Sequence, residues 1–161
     1  MLLVHLTDAR LAAAIRRGGI RTSWHRWLTD RGVFCMPVLQ SYVLTNQWGR
    51  ELRKSGYRST VAVRFRVPDD ESVTVSHYTR KPLRMTAAKA AALISAHPDP
   101  RGYEVFLPRP VRAAEIHDVR HVKGVIGWRH QPDAHGRPPC PCPCCLSRGE
   151  YGSRTIRARA E

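Results

Sequence analysis

The chain has 161 residues, of which 42% are hydrophobic and only 7% aromatic, and its formal net charge is +14 at pH 7. That length supports one domain with a real core, and that apolar fraction is ordinary for a folded chain rather than a disordered one. No run of about 18 apolar residues is present for a membrane span, and the short apolar start, Met-Leu-Leu-Val, lacks a basic leader, so the expectation is a cytoplasmic protein with reduced cysteines.

Residues 2–6, Leu-Leu-Val-His-Leu, read as a strand, and Asp8 is a helix N-cap ahead of a helix over 9–17 that Gly18 and Gly19 close. Residues 20–30 hold Trp24, His25 and Trp27 among polar neighbours and read as an irregular loop able to cover a site. Arg-Gly-Val-Phe-Cys-Met-Pro, residues 31–37, is a second strand stopped by its proline. Leu39, Tyr42, Val43 or Leu44, Trp48 and Leu52 recur at helical spacing, which predicts a helix over 39–54 ended by Gly56, with that stripe in the core.

Residues 60–67 are the clearest strand, with Val61, Val63, Phe65 and Val67 facing the core. A further strand is expected over 72–78. Thr86 then caps an alanine-rich helix from Ala87 to about Ala96, which His97-Pro-Asp-Pro breaks.

The stretch 102–122 carries the most informative single residue. It opens as a short apolar strand, Tyr-Glu-Val-Phe-Leu, passes Pro108 and Pro110, and ends on 116–122 with apolar residues at intervals. An ionised carboxylate on such a strand is costly to bury without a partner, so Glu104 either faces water from an edge or is aimed into a cleft. Residues 124–130 read as a last strand, and order is expected to fade after Gln131.

Residues 131–161 form a basic tail in which four cysteines fall within six residues. Cys140, Cys142 and Cys145 make a C-x-C-x2-C clip suited to a soft tetrahedral cation such as zinc, with Cys144 or His135 as fourth ligand and Cys35 and His130 as distant candidates. The competing reading is a Pro/Cys tail that binds metal adventitiously or oxidises. All but four of the 27 basic residues are arginine, a balance that favours phosphate-bearing partners, nucleic acid among them.

Taken together, a first strand with His-x-Thr (His5, Thr7), a helix ending in Gly-Gly-Ile, a second strand Gly-Val-Phe-Cys, a helix with an aromatic and a late strand with a lone glutamate resemble the ADP-ribosyltransferase fold. The likeness spans residues 2 to about 120 and is nearest to the diphtheria-toxin-like branch with its His-Tyr-Glu triad and to the DNA-modifying DarT-type enzymes. It implies an α+β domain over 1–130, with two small packed sheets and flanking helices around a cleft for the substrate NAD. It also implies that His5 binds the adenosine-side ribose, that Leu6 and Thr7 border the nicotinamide pocket, that Phe34 replaces the family's second-strand tyrosine, and that Tyr42 closes over the nicotinamide ring. Glu104 would match the catalytic glutamate.

The chemistry asks for such residues in its own right. Breaking the nicotinamide glycosidic bond develops oxocarbenium-like positive charge, which a nearby carboxylate stabilises, while Arg10, Arg16 or Arg31 meet the pyrophosphate. The implied function is transfer of ADP-ribose from NAD, with nucleic acid as a candidate acceptor. Two other readings stay open. One is a noncatalytic nucleic-acid-binding module whose arginines track phosphates while Trp24, Trp27, Tyr78 or Trp128 stack on bases. The other is a different NAD-using enzyme on the same fold, an RNA 2′-phosphotransferase or an NAD glycohydrolase.

Overall fold

The computed structural model describes residues 1–24, 30–77, 80–124 and 126–127, with the single positions 154 and 158. In chain order, β1 (Leu2–Asp8) leads through a short 3-10 turn, Ala9–Leu11, into α1 (Ala12–Gly18). There follow β2 (Ser23–Trp24), β3 (Arg31–Pro37), α2 (Tyr42–Thr45), α3 (Gly49–Lys54), β4 (Thr60–Arg66), β5 (Ser72–His77) and β6 (Arg80–Thr86). The described part closes with α4 (Ala87–Ala96), β7 (Tyr103–Leu107), a 3-10 turn at Ala113–Glu115 and β8 (Ile116–His121).

The strands form one eight-stranded sheet in the order β6-β5-β7-β3-β1-β4-β8, with β2 paired beside β3, and each recorded pairing is antiparallel. The architecture is therefore mixed α and β, with few helices. The two small sheets expected from the sequence take a different form, since the two halves of this sheet are joined at its middle. β1 pairs with β4 along seven residues but with β3 at only Leu3↔Pro37 and Val4↔Met36. Beyond those two pairs β1 and β3 part company.

Alternation explains the core. Val61, Val63 and Phe65 on β4 are 0–1% exposed, as their spacing predicts, and Leu3 on β1 joins them. Each such side chain contributes roughly 1.5–3 kcal/mol through burial. On the other half, Val73 and Val75 of β5 and Val105 and Leu107 of β7 are buried, and α4 packs over β5 and β3 with Ala87, Ala90 and Ile94 inward. The Thr86 hydroxyl accepts from the Lys89 amide and caps that helix as expected.

Three expectations change. The helix over 39–54 is two short helices separated at 46–48, where the buried Gln47 is committed to tertiary bonds. Gln47 Nε2 donates to the Pro100 carbonyl at 3.2 Å, and its Oε1 accepts from the Gly102 amide at 2.8 Å. The strand β6 is an addition: Lys-Pro-Leu-Arg lacks alternation, and as an edge strand with exposed side chains it needs none. The last strand over 124–130 is not formed at its described positions, where Gly124 and Gly127 turn the backbone at φ 71° and 120°. The tail with Cys140, Cys142, Cys144 and Cys145 lies outside the described residues.

Candidate functional site

His5 sits where β1 leaves β3. The ladder between them stops after Val4↔Met36, and the His5 imidazole then bridges the gap, its Nδ1 standing 2.7 Å from the Phe34 carbonyl. A carbonyl only accepts, so Nδ1 carries the proton and Nε2 is the acceptor. Burial pushes this imidazole down toward its neutral form, and the Phe34 bond pulls it part of the way back.

Glu104 is one strand further along. It is half-buried on β7 directly opposite Ser76 of β5, whose hydroxyl donates to Glu104 Oε1 at 3.0 Å. Burial pushes the carboxyl above the ordinary carboxylate range, and the Ser76 bond opposes this. On the same face of the sheet Phe106 stacks in a tilted pair with Phe34 of β3, ring centroids 5.1 Å apart. Gly32 makes that packing possible, because a Cβ there would lie 2.4 Å from the Phe106 ring and from the Leu107 carbonyl.

The neighbouring thiol registers the same carboxylate. Cys35 is buried with its Sγ–H on the Val105 carbonyl, and its pKa is pushed up by burial first and by the charge of Glu104 second. It is an inert core thiol rather than a metal ligand. Among the described residues no group of His, Cys, Asp or Glu could hold a metal ion.

The structure brings His5 and Phe34 into contact and sets Glu104 one strand beyond them. Thr7 lies on the His5 side of β1 and is buried. Leu6 points to the opposite face, the side of Val4 and Ala62. Tyr42 belongs to that opposite side too: its hydroxyl accepts from the Lys123 amide at 2.9 Å, and it lines a cleft bounded by Val4, Ala62, Arg64 and Arg120 that neither His5 nor Glu104 lines. The three residues at 5, 42 and 104 are thus split between two faces: register puts Glu104 and Phe34 on the Val4 side of the sheet, the side of the Tyr42 cleft, and His5 on the other, tied to β3 through the Phe34 carbonyl.

The arginines named for a pyrophosphate are dispersed. Arg31 reaches Thr22, Arg10 pairs with Asp8, and Arg16 donates to the Val119 carbonyl. Of the stacking candidates, Trp24 is exposed on β2, while Trp27, Tyr78 and Trp128 lie outside the described residues.

Sequence reading missed Ser76 and Gln47. The signal for Ser76 is the polar pair Thr74 and Ser76 alternating with Val73 and Val75, which puts it on the Glu104 face once β5 and β7 are paired. Trp48, expected as packing, also donates its indole N–H to the Tyr103 carbonyl at 2.9 Å and so fixes the start of β7 just before Glu104. No helix among the described residues is long and apolar enough to cross a membrane. Comparison with protein-family models, with curated proteins and with solved structures finds no match.

Proposed function

We propose that the chain is an ADP-ribosyltransferase that cleaves NAD at the nicotinamide glycosidic bond, with Glu104 as its catalytic carboxylate and His5 as a substrate-binding residue. The observation that carries this reading is the half-buried Glu104, held by Ser76 beside the Phe34–Phe106 ring pair, on the strand next to the one whose Phe34 carbonyl orients His5. A carboxylate in a site partly shielded from water acts strongly on developing positive charge at the ribose C1′.

In the proposed reaction the C1′–N bond breaks and nicotinamide leaves with the electron pair. A nucleophilic oxygen or nitrogen of the acceptor then bonds to C1′ and gives up its proton. Glu104 stabilises the oxocarbenium-like state and hydrogen-bonds a ribose hydroxyl. His5 Nε2, free of the Phe34 bond, is the ring atom that accepts from a second ribose hydroxyl. Phe34, packed against Phe106 on the face of Glu104, is the aromatic surface proposed for nicotinamide. The resemblance noted in the sequence supports the same assignment, and nucleic acid remains the proposed acceptor on the ground of the +14 charge.

The test is incubation of the full chain with labelled NAD and a panel of DNA, RNA and protein acceptors. Nicotinamide release with label transferred to one acceptor class is the expected result, and Glu104→Gln is expected to lower the rate by about a hundredfold to a thousandfold. Normal turnover by that variant, or no nicotinamide release with any acceptor or with water, refutes the reading.

A further inference from the structure

On the face of the sheet away from His5, the strands β1, β4 and β8 and the segment 38–46 enclose a cleft of about 640 Å³. Its size is within the roughly 300–1,000 Å³ of small-molecule sites. The floor is apolar, built by Val4, Val38, Leu39 and Ala62.

The β8 side is cationic. Arg64, Arg120 and Lys123 all line it, and one carboxylate, Asp118, serves two of them: both Arg64 and Arg120 Nε bond to Asp118 Oδ2. The Lys123 ammonium has no ion pair among the described residues, and Arg120 and Lys123 are exposed. Three cations against one anion leave a surplus of positive charge over an apolar floor. Tyr42, 40% exposed, stands at the same side, its hydroxyl pinned by the Lys123 amide.

A further sign is in the wall. Asn46 gives its Nδ2–H to the Tyr42 carbonyl, and its Oδ1 is buried with no hydrogen-bond partner among the described residues. An acceptor left in that state is destabilising. That oxygen is closed off from solvent, so it indicates a wall with bonding capacity in reserve rather than a preformed ligand contact.

We propose that this cleft binds a nucleoside 5′-phosphate unit, its base on the apolar floor beside the Tyr42 ring and its phosphate between Arg120 and Lys123. An apolar bed with one aromatic and cations along a single side matches a ligand that is flat and uncharged at one end and doubly anionic at the other. The same chemistry is presented by a free mononucleotide and by the phosphorylated end of a nucleic-acid strand. The inference stands apart from the transfer chemistry proposed above and uses none of its residues.

The experiment is calorimetric titration of the full chain with 5′-AMP, with adenosine, and with short DNA strands bearing or lacking a 5′-phosphate. AMP is expected to bind about tenfold or more tightly than adenosine, and the Arg120→Ser, Lys123→Ser double variant is expected to lose about that factor for AMP. Both changes are at exposed side chains, and an unchanged melting temperature confirms that the variant is folded. The same double variant is expected to keep its NAD turnover, which separates this cleft from the proposed NAD site. Displacement of AMP by the 5′-phosphorylated strand alone assigns the ligand to a nucleic-acid end; failure to displace assigns it to a free nucleotide. Binding of AMP unaffected by the double variant, equal binding of adenosine, or no binding of either AMP or the phosphorylated strand overturns the proposal.

Discussion

Ser76 and Glu104 are register partners in the β5–β7 ladder, and the Ser76 hydroxyl donates to Glu104 Oε1 at 3.0 Å. That bond favours the ionised carboxyl, whereas burial, the larger influence, favours the protonated one. Ser76→Ala therefore pushes the Glu104 pKa further up. The acid limb of the NAD turnover profile is expected to move to higher pH, with nicotinamide release at neutral pH reduced while binding is kept. A rate–pH profile measured on both proteins checks this, and an unmoved limb assigns Ser76 to packing alone.

The same shift has a sign in stability. An acid whose folded pKa is raised holds its proton longer folded than unfolded, so stability falls as pH rises from the unfolded value near 4.5 through the folded one. Glu104→Gln removes that slope and is expected to be at least as stable as the parent at pH 7. Denaturant titrations at several pH values decide it.

His5 gives the opposite slope. Its folded pKa is lowered, so the unfolded chain takes up a proton first, and stability is lost as pH falls below about 6.5. His5→Ala also leaves the Phe34 carbonyl without its donor at the point where β1 and β3 separate, and a loss of roughly 1–3 kcal/mol is expected. Equilibrium unfolding at pH 8 and pH 5.5 measures both effects, with the pH dependence reduced in the variant.

Much of the strand content was legible because it rests on local alternation: β3 and α4 fall on their expected bounds, and Val61, Val63 and Phe65 face inward as read. What was not legible is set by pairing between distant strands. Glu104 alone did not say whether it met water or a partner, and the answer depends on Ser76, 28 residues away in the chain. Tyr42 fitted a helical stripe, yet the helix breaks at 46–48, where Gln47 bonds to Pro100 and Gly102, and Tyr42 lies at the cleft beside Lys123. Arg64, Arg120 and Lys123 were three among 27 basic residues until the sheet put them together.

Arg109 clamps two loops that no strand joins. Its Nη2 donates to Glu71 at 2.7 Å and to Glu115 at 2.9 Å, linking the turn before β5 to the turn before β8. Burial tends to raise the Glu115 carboxyl, but the bonds from Arg109 and the Arg112 amide outweigh it and hold the pKa below the usual range. Arg109→Ala is expected to lose roughly 1–3 kcal/mol, since it removes the cation shared by two half-buried carboxylates and leaves Glu115 with Arg112 alone. The parent is expected to lose this contribution on acidification, as pH falls below about 4.5 through the lower folded pKa of Glu115. Melting curves of both proteins between pH 7 and pH 3 should converge.

Asp118 sets stability against binding. Its carboxylate bridges Arg64 and Arg120 at the cationic cleft, and the Arg64 bond, the largest influence, holds its pKa below the usual range. The pair therefore stabilises the fold above about pH 3.8 and ceases to do so as pH falls through the folded pKa. Asp118→Asn keeps an acceptor oxygen but removes the charge, so a loss of about 1 kcal/mol is expected at neutral pH, modest because both side chains retain some contact with water. The same change leaves Arg64 and Arg120 unneutralised. Affinity for AMP is then expected to rise by roughly threefold at low salt, and the gain to shrink as added salt screens it. A variant that is both less stable and a tighter binder separates the structural use of this ion pair from its use in the cleft. Weaker AMP binding by Asp118→Asn would instead mean that the carboxylate orients the guanidinium groups toward the phosphate.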